Sequence, residues 1–305
     1  MAEKMIKTKD VLTLGELDKK EILQVLDLAL KLKKDLKKGI SKPLLKNKIL
    51  AMVFQKPSTR TRVSFETGMF QLGGYAVNMS SQDLQLSRGE TIEDTARTLS
   101  LYADVLMARV YEHSAIETLA KNSSIPVING LSNSFHPCQI LADLMTIKEK
   151  KGRLDGLKLT WVGDGNNVCN SMLYGCAKMG ISMSIATPSE FAPNAKVVKE
   201  CKKLVDIELT QDPQKAVKGS DVIATDTFVS IHDDPKRLKK FFPKYQVNPS
   251  LMAKAKKNAI FMHCLPAKRG QEVTASVIDG PQSVVWDEAE NRLHSQKALL
   301  ASLPI

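Results

Sequence analysis

The chain predicts an α/β protein of two domains, each a mostly parallel sheet flanked by helices. Apolar strand-like runs alternate with amphipathic helical segments along its length, and one polar, glycine-punctuated run, "KKGRLDG" at 150–156, interrupts the alternation. The length agrees, since 305 residues exceed one typical compact domain and suit two of about 150 each. The expected bounds are 1–150 and 151–287, with a C-terminal helical segment at 288–305.

The elements follow from local patterns. Asp18 and Glu21 form a capping-box start, after which Ile22, Val25, Ala29, Leu32 and Leu36 share one helix face. "ILAMVF" reads as a buried strand, and a helix over 58–72 stops at Gly73-Gly74. Then come "YAVNM" as strand, "ETIEDTARTLSLYA" as helix, "VLMARV" as strand, "SAIETLAKN" as helix and "IPVING" as strand. "HPCQILADLMTIKEKKG" is a helix with Pro137 in its first turn. Beyond the boundary the alternation restarts with the strand "LKLTWVGDG", a helix through "NSMLYGCAKMG", the strand "SMSIAT" and a helix near 194–204. "VDIELT", "DVIATD", "AIFMHC" and "SVVWDE" read as further strands, and a helix over 288–303 ends the chain. This alternation implies sheets covered on both faces.

Composition excludes several classes. Charged residues at 25% and hydrophobic ones at 43% are ordinary for a globular enzyme. The net charge of +11 sits largely in lysine-rich helical stretches without aromatic interleaving or a nucleic-acid signature, so an anionic small substrate is expected rather than nucleic acid. No apolar run approaches membrane-spanning length, and no signal core follows the polar start. Five irregularly spaced cysteines argue against a disulfide framework and for a reducing cytoplasm.

"KPSTRTRVSFE" at 56–66 places hydroxyls and arginines where a strand hands over to a helix. Backbone N–H groups are unpaired there, so an anion is favoured before any side chain is counted. Arg60 adds a planar fork, and Ser58, Thr59 and Thr61 add hydroxyl donors, against the alternative of a capped helix with solvated arginines. Arg109 closes a strand at the sheet end where α/β proteins bind ligands, although an isolated arginine is more often a surface charge. His136 and Gln139 begin a helix and could stabilise a developing oxyanion. No ligand set complements His136 and Cys138 for a metal. "GDGNNV" at 163–168 fails the dinucleotide-binding glycine pattern. His263 and Cys264 are neighbours, so on a strand they are expected to point apart rather than chelate together.

Taken together, "STRTR" with "SFE", "SRGE", the arginine of "LMARV", "HPCQILADL" and "HCLP" closely resemble the carbamoyltransferases. "GDGNN", "TDTFVS", "YQV" and "HCLPA" resemble the ornithine carbamoyltransferase family in particular, from about residue 10 to about 303. The resemblance implies transfer of a carbamoyl group from carbamoyl phosphate to the δ-amine of ornithine, giving citrulline and phosphate in arginine biosynthesis. It implies no metal or organic cofactor, a cytoplasmic homotrimer, and a C-terminal helix returning to the first domain. Ser58, Thr59, Arg60 and Thr61 would hold the phosphate, with Gln85, Arg109, His136 and Gln139 completing that site, Gln85 from a neighbouring subunit. Thr61, Arg109 and His136 would polarise the carbamoyl oxygen, and Arg292 would approach from the final helix. Asn167, Asp226, Ser230 and Ile231 would grip ornithine, and Cys264 with Leu265 would line the reacting centre, Asp226 and Cys264 managing the ornithine protons.

The family usually reads Ser-Met-Gly after that aspartate, whereas this chain reads Ser230-Ile231-His232 in a loop a few residues shorter. Putrescine is therefore the alternative acceptor. A nicotinamide-dependent dehydrogenase using "GDGNNV" and a non-catalytic binding protein are the alternatives of other classes.

Overall fold

The computed structural model describes residues 6–80, 82, 84–229 and 234–305. Two compact units account for these residues. One comprises the chain up to Met145 together with Glu290–Ile305, and the other comprises Thr146–Ala289.

The first unit contains a four-stranded parallel sheet, β1 (Ile49–Phe54), β2 (Tyr75–Ser80), β3 (Val105–Arg109) and β4 (Val127–Leu131), in the order β2-β1-β3-β4. Its helices are α1 (Lys19–Lys37), α2 (Thr59–Gln71), α3 (Ile92–Tyr102), α4 (His113–Asn122) and α5 (Pro137–Lys151), which continues into the second unit. The Asp18–Glu21 capping box forms as expected, and Ser58 caps α2 by accepting from the Thr61 N–H. β1 and β3 pair in register, with Phe54 opposite Arg109, over a core that includes Val53, Leu106, Ala108, Ile116 and Val127. The chain goes from β1 outward to β2, then crosses to β3 on the other side of β1. Such a reversal opens a crevice at the carboxyl ends of the two strands. The "STRTR" turn and Arg109 lie at those ends.

The second unit repeats the device with five parallel strands, β5 (Lys158–Val162), β6 (Ser182–Ala186), β7 (Ile207–Thr210), β8 (Val222–Thr225) and β9 (Ile260–His263), ordered β7-β6-β5-β8-β9. Its helices are α6 (Asn167–Met179), α7 (Ala195–Cys201), α8 (Pro213–Val217), α9 (Leu238–Phe241), α10 (Pro249–Met252) and α11 (Ala275–Ile278). The order reverses between β5 and β8, so Gly163–Asn167 and Asp226 lie at the strand ends flanking the reversal. A core of Val162, Ile223, Phe228, Phe241, Tyr245 and Phe261 supports this end.

α12 (Val285–Ser302) closes the chain, and from Glu290 onward it belongs to the first unit, as expected of the final helix. The reading of "SVVWDE" as a strand is corrected. Only Ser283 bridges to Phe261, and the helix starts at Val285 with Asp287 and Glu288 in its first turn. Those acids favour a helix N-terminus and outweigh the strand propensity of two valines.

The turn after β5 is tightly built. A Cβ on Gly165 would lie 2.3 Å from the Pro193 nitrogen and 2.5 Å from the Phe191 carbonyl oxygen, both backbone atoms that cannot rotate away. Gly165→Ala should therefore destabilise the protein by about 1–3 kcal/mol, the usual cost of overpacking. An unchanged denaturant midpoint would show that the turn yields freely.

Candidate active site

In the first unit, α2 begins directly above β1, and Ser58, Thr59, Arg60 and Thr61 occupy its N-terminal turn. The N-terminal turn carries no acidic residue, so its partial positive charge is not offset locally. Thr61 is buried, and its hydroxyl accepts from Arg292 Nη2 at 3.2 Å. Arg292, also buried, donates through Nη1 to Gln139 Oε1 at 2.7 Å and through Nε and Nη2 to Gln296 Oε1 at 3.0 and 2.8 Å. Gln296 in turn donates to Ser64 Oγ at 2.6 Å, and Gln139 Nε2 donates to Asp143 at 2.8 Å. These bonds fix a guanidinium, a hydroxyl and an amide that are 231 and 153 residues apart in sequence.

His136 precedes Pro137 at the start of α5 and is buried. Burial first, then the positive charges of Arg292, Arg109 and Arg60, hold its imidazole well below the usual histidine range. The four side chains thus share one electrostatic environment, in which an anion is favoured and imidazolium is not. Cys138 is buried beneath, its thiol pushed up to about 12 by burial, which makes it an inert packing residue. Gln85 is exposed on the one-turn helix Gln85–Arg88, outside this hydrogen-bonded cluster.

In the second unit, Asp226 follows β8 and is held by three donors. Asn166 Nδ2 donates to Oδ2 at 2.8 Å, while the Thr227 N–H (2.8 Å) and Cys264 Sγ (3.2 Å) donate to Oδ1. Asn166 also caps α6 by accepting from the Val168 and Cys169 N–H groups. Asn167, half-buried, is the first residue of α6. Ser230 and Ile231, and His232 beside them, lie outside the described residues.

The expectation that His263 and Cys264 point apart is corrected. Asp226, His263 and Cys264 each present one potential ligand atom, all within 4.8 Å of one another. β9 ends at His263, and Leu265 adopts φ 58°, so strand alternation no longer governs these side chains. The Leu265 N–H turns back to donate to His263 Nδ1 at 2.9 Å. That ring nitrogen is therefore the acceptor, and Nε2–H faces Glu272 Oε1 at 3.2 Å in a fully buried pair. Glu272 also accepts from the Lys268 N–H at 2.5 Å, fixing both ends of the segment around Cys264 and Leu265.

Family models for the carbamoyl-P binding domain and the Asp/Orn binding domain of aspartate/ornithine carbamoyltransferase match residues 9–149 and 155–303. The chain belongs to the aspartate/ornithine carbamoyltransferase family. It is 64% identical over 302 residues to an ornithine carbamoyltransferase of Cenarchaeum symbiosum, covering 98% of this chain and 99% of the relative. Against one from Carboxydothermus hydrogenoformans the identity is 54%, with 97% of each chain covered. The solved ornithine carbamoyltransferase of Pyrococcus furiosus superposes with a TM-score of 0.94 at 51% identity, covering 98% of both chains. In this carbamoyltransferase-family chain, sequence reasoning missed Asn166, Gln296 and Glu272, which contact site residues rather than carry a motif of their own. Only the Asn-Asn doublet offered a signal, and it does not say which asparagine turns inward.

The His136 assignment can be checked by NMR. Its Cε1 resonance, identified by its loss in His136→Gln, should stay flat from pH 8 to 6, because cations and burial both oppose protonation. Arg292→Gln should move its titration upward. A midpoint near the ordinary 6.5 in the unmodified protein would contradict the shared positive field.

Proposed function

We propose that this chain is an ornithine carbamoyltransferase, transferring the carbamoyl group of carbamoyl phosphate to the δ-amine of L-ornithine. The observation that carries the reading is the buried neutral His136 among Arg60, Arg109 and Arg292 beside a helix N-terminus. That grouping suits a phosphate monoanion or dianion bearing a carbonyl oxygen to be polarised. Ser58, Thr59, Arg60, Thr61, Gln139 and Arg292 hold the phosphate, with Gln85 supplied by a second copy. Thr61, Arg109 and His136 face the carbamoyl oxygen. Asn167, Asp226, Ser230 and Ile231 hold the amino-acid end of ornithine, and Cys264 and Leu265 border its amine.

The chemistry balances without an outside reactant. An ammonium has no lone pair, so the δ-amine reacts in its neutral form, which is scarce at pH 7 given a reference pKa near 10. The amine nitrogen bonds to the carbamoyl carbon, and negative charge moves onto the carbonyl oxygen, where Thr61, Arg109 and His136 donate hydrogen bonds. The carbon–oxygen bond to phosphate then breaks, and phosphate departs with the amine's proton while the arginines hold it. Asp226, with its three donors, orients ornithine and sits in hydrogen-bond contact with the Cys264 thiol.

We further place the reaction in the cytoplasm, in arginine biosynthesis, and the enzyme in a homotrimer. Among the described residues, no helix is long and apolar enough to cross a membrane. Val63 and Phe70 are exposed on α2 seven residues apart, hence on one face, and Tyr75 and Val77 are exposed on one face of the edge strand β2. Such an apolar surface favours self-association. Sedimentation equilibrium should return three chains per particle, and Phe70→Glu with Val63→Glu should shift it toward monomer.

Formation of the carbamoylated product from ornithine, putrescine, lysine and aspartate, offered in parallel, tests the acceptor. Ornithine should exceed putrescine by at least about tenfold in kcat/KM, a difference of roughly 1.4 kcal/mol. Equal turnover of putrescine would overturn the ornithine reading. Arg109→Ala should cost about 3–4 kcal/mol of transition-state stabilisation, the scale of losing one oxyanion donor. Near-normal kinetics in that variant would remove Arg109 from the site.

A further inference from the structure

We propose that Arg237 is a positioning residue for the amino-acid acceptor, acting through the turn that carries Asn166 and Asn167; this rests on the ornithine reading above. Arg237 ends the single turn Pro235–Arg237 and caps α9, and no site role follows for it from the sequence. Its Nη2 donates to Asp164 Oδ2 at 2.6 Å, and both side chains are largely shielded, at 23% and 14% exposure. A short charge-assisted bond at that depth is worth more than a surface ion pair.

The same guanidinium stacks 4.6 Å over the Phe191 ring. Phe191 packs on Phe241 at 4.7 Å, and Phe241 stacks on Phe228 at 4.9 Å. Phe191 also accepts from the Gly165 N–H through its carbonyl oxygen, at 2.9 Å. The contacts close a ring: Arg237 grips Asp164, Asp164 adjoins Gly165, Gly165 is bonded to Phe191, and Phe191 lies under Arg237. Trp161 Nε1 adds a donor to the Asp164 carbonyl at 2.8 Å. Gly163, at φ 124°, has no Cβ to keep Phe228 away, and an added one would lie 2.8 Å from that ring.

The turn held by this ring delivers Asn166, which grips Asp226, and Asn167. Without Arg237, Asp164 becomes a shielded carboxylate that has lost a charge-assisted bond of 2.6 Å. The least costly relief is for the turn to swing Asp164 toward water, which carries Asn166 and Asn167 with it. Ornithine recognition should then loosen, while the carbamoyl phosphate residues, all in the other unit, keep their contacts.

The test compares Arg237→Ala, Arg237→Lys and Asp164→Asn with the unmodified enzyme. Ornithine KM should rise at least tenfold in Arg237→Ala, with carbamoyl phosphate affinity unchanged within twofold. Arg237→Lys keeps the charge and loses the stacking, so it should recover part of the ornithine affinity. The Asp164→Asn, Arg237→Ala double variant should be no worse than the worse single, because both remove one contact. A purely structural role would lower the melting temperature and the active fraction while leaving ornithine KM in place, and that result overturns the proposal. Additive effects of Asp164→Asn and Arg237→Ala overturn it as well. An unmodified protein that fails to turn over ornithine overturns both this inference and the functional reading. Turnover with an unaltered KM in Arg237→Ala overturns this inference alone.

Discussion

Bringing like charges together is the constraint on which the first unit is organised. Arg60, Arg109 and Arg292 all lower the His136 pKa, so all three act on one small volume. Arg292 is buried and donates to side-chain oxygens of the uncharged Gln139, Gln296 and Thr61. A carboxylate in those positions would offset the positive field. These neutral acceptors hold the guanidinium in place by hydrogen bonds.

The two sheets explain how residues from Ser58 to Arg292 can serve so few sites. In each unit the strand order reverses once, between β1 and β3 and between β5 and β8. Side chains just past neighbouring parallel strands are close in space however far apart they are in sequence. Phe54 opposite Arg109, and Thr225 opposite His263, set the registers that bring the relevant loops level. Arg292 is the exception, because it arrives on the last helix rather than past a strand. Its neighbours Glu290 and Asn291 meet the buried Lys33 of α1, which fixes the helix at the level Arg292 requires.

Residues whose role is written in their own chemistry were legible in the sequence. A hydroxyl–arginine turn after an apolar strand, an arginine at a strand end and a histidine before a helix-starting proline all keep their character wherever the chain folds. Residues that act by touching another residue were not legible. Glu272 looks like a surface glutamate among polar neighbours until the fold buries it against His263. Asn166 and Asn167 differ only in which one turns toward Asp226. Arg237 sits in a run of lysines, and its contacts with Asp164 and Phe191 set it apart from them. The "SVVWDE" error has the same origin, since a run of valines states a preference that the acids after it reverse. The adjacency argument for His263 and Cys264 assumed a strand that stops one residue earlier.

The two units read their proposed substrates by different physics. In the proposed reading, phosphate would be gripped by charge concentrated on arginines and a helix terminus, so its recognition would be distributed over several strong interactions. The acceptor would be read by hydrogen bonds around Asp226, each worth about 0.5–3 kcal/mol, beside a turn braced by Gly165, Phe191 and Arg237. Discrimination among amines thus rests on a few modest interactions whose geometry depends on one turn. In the proposed reading the sequence departure Ile231-His232 falls among the acceptor's contacts and not among those of the phosphate. The donor is constrained by charge and the acceptor by position, and it is the acceptor that small changes of sequence can move.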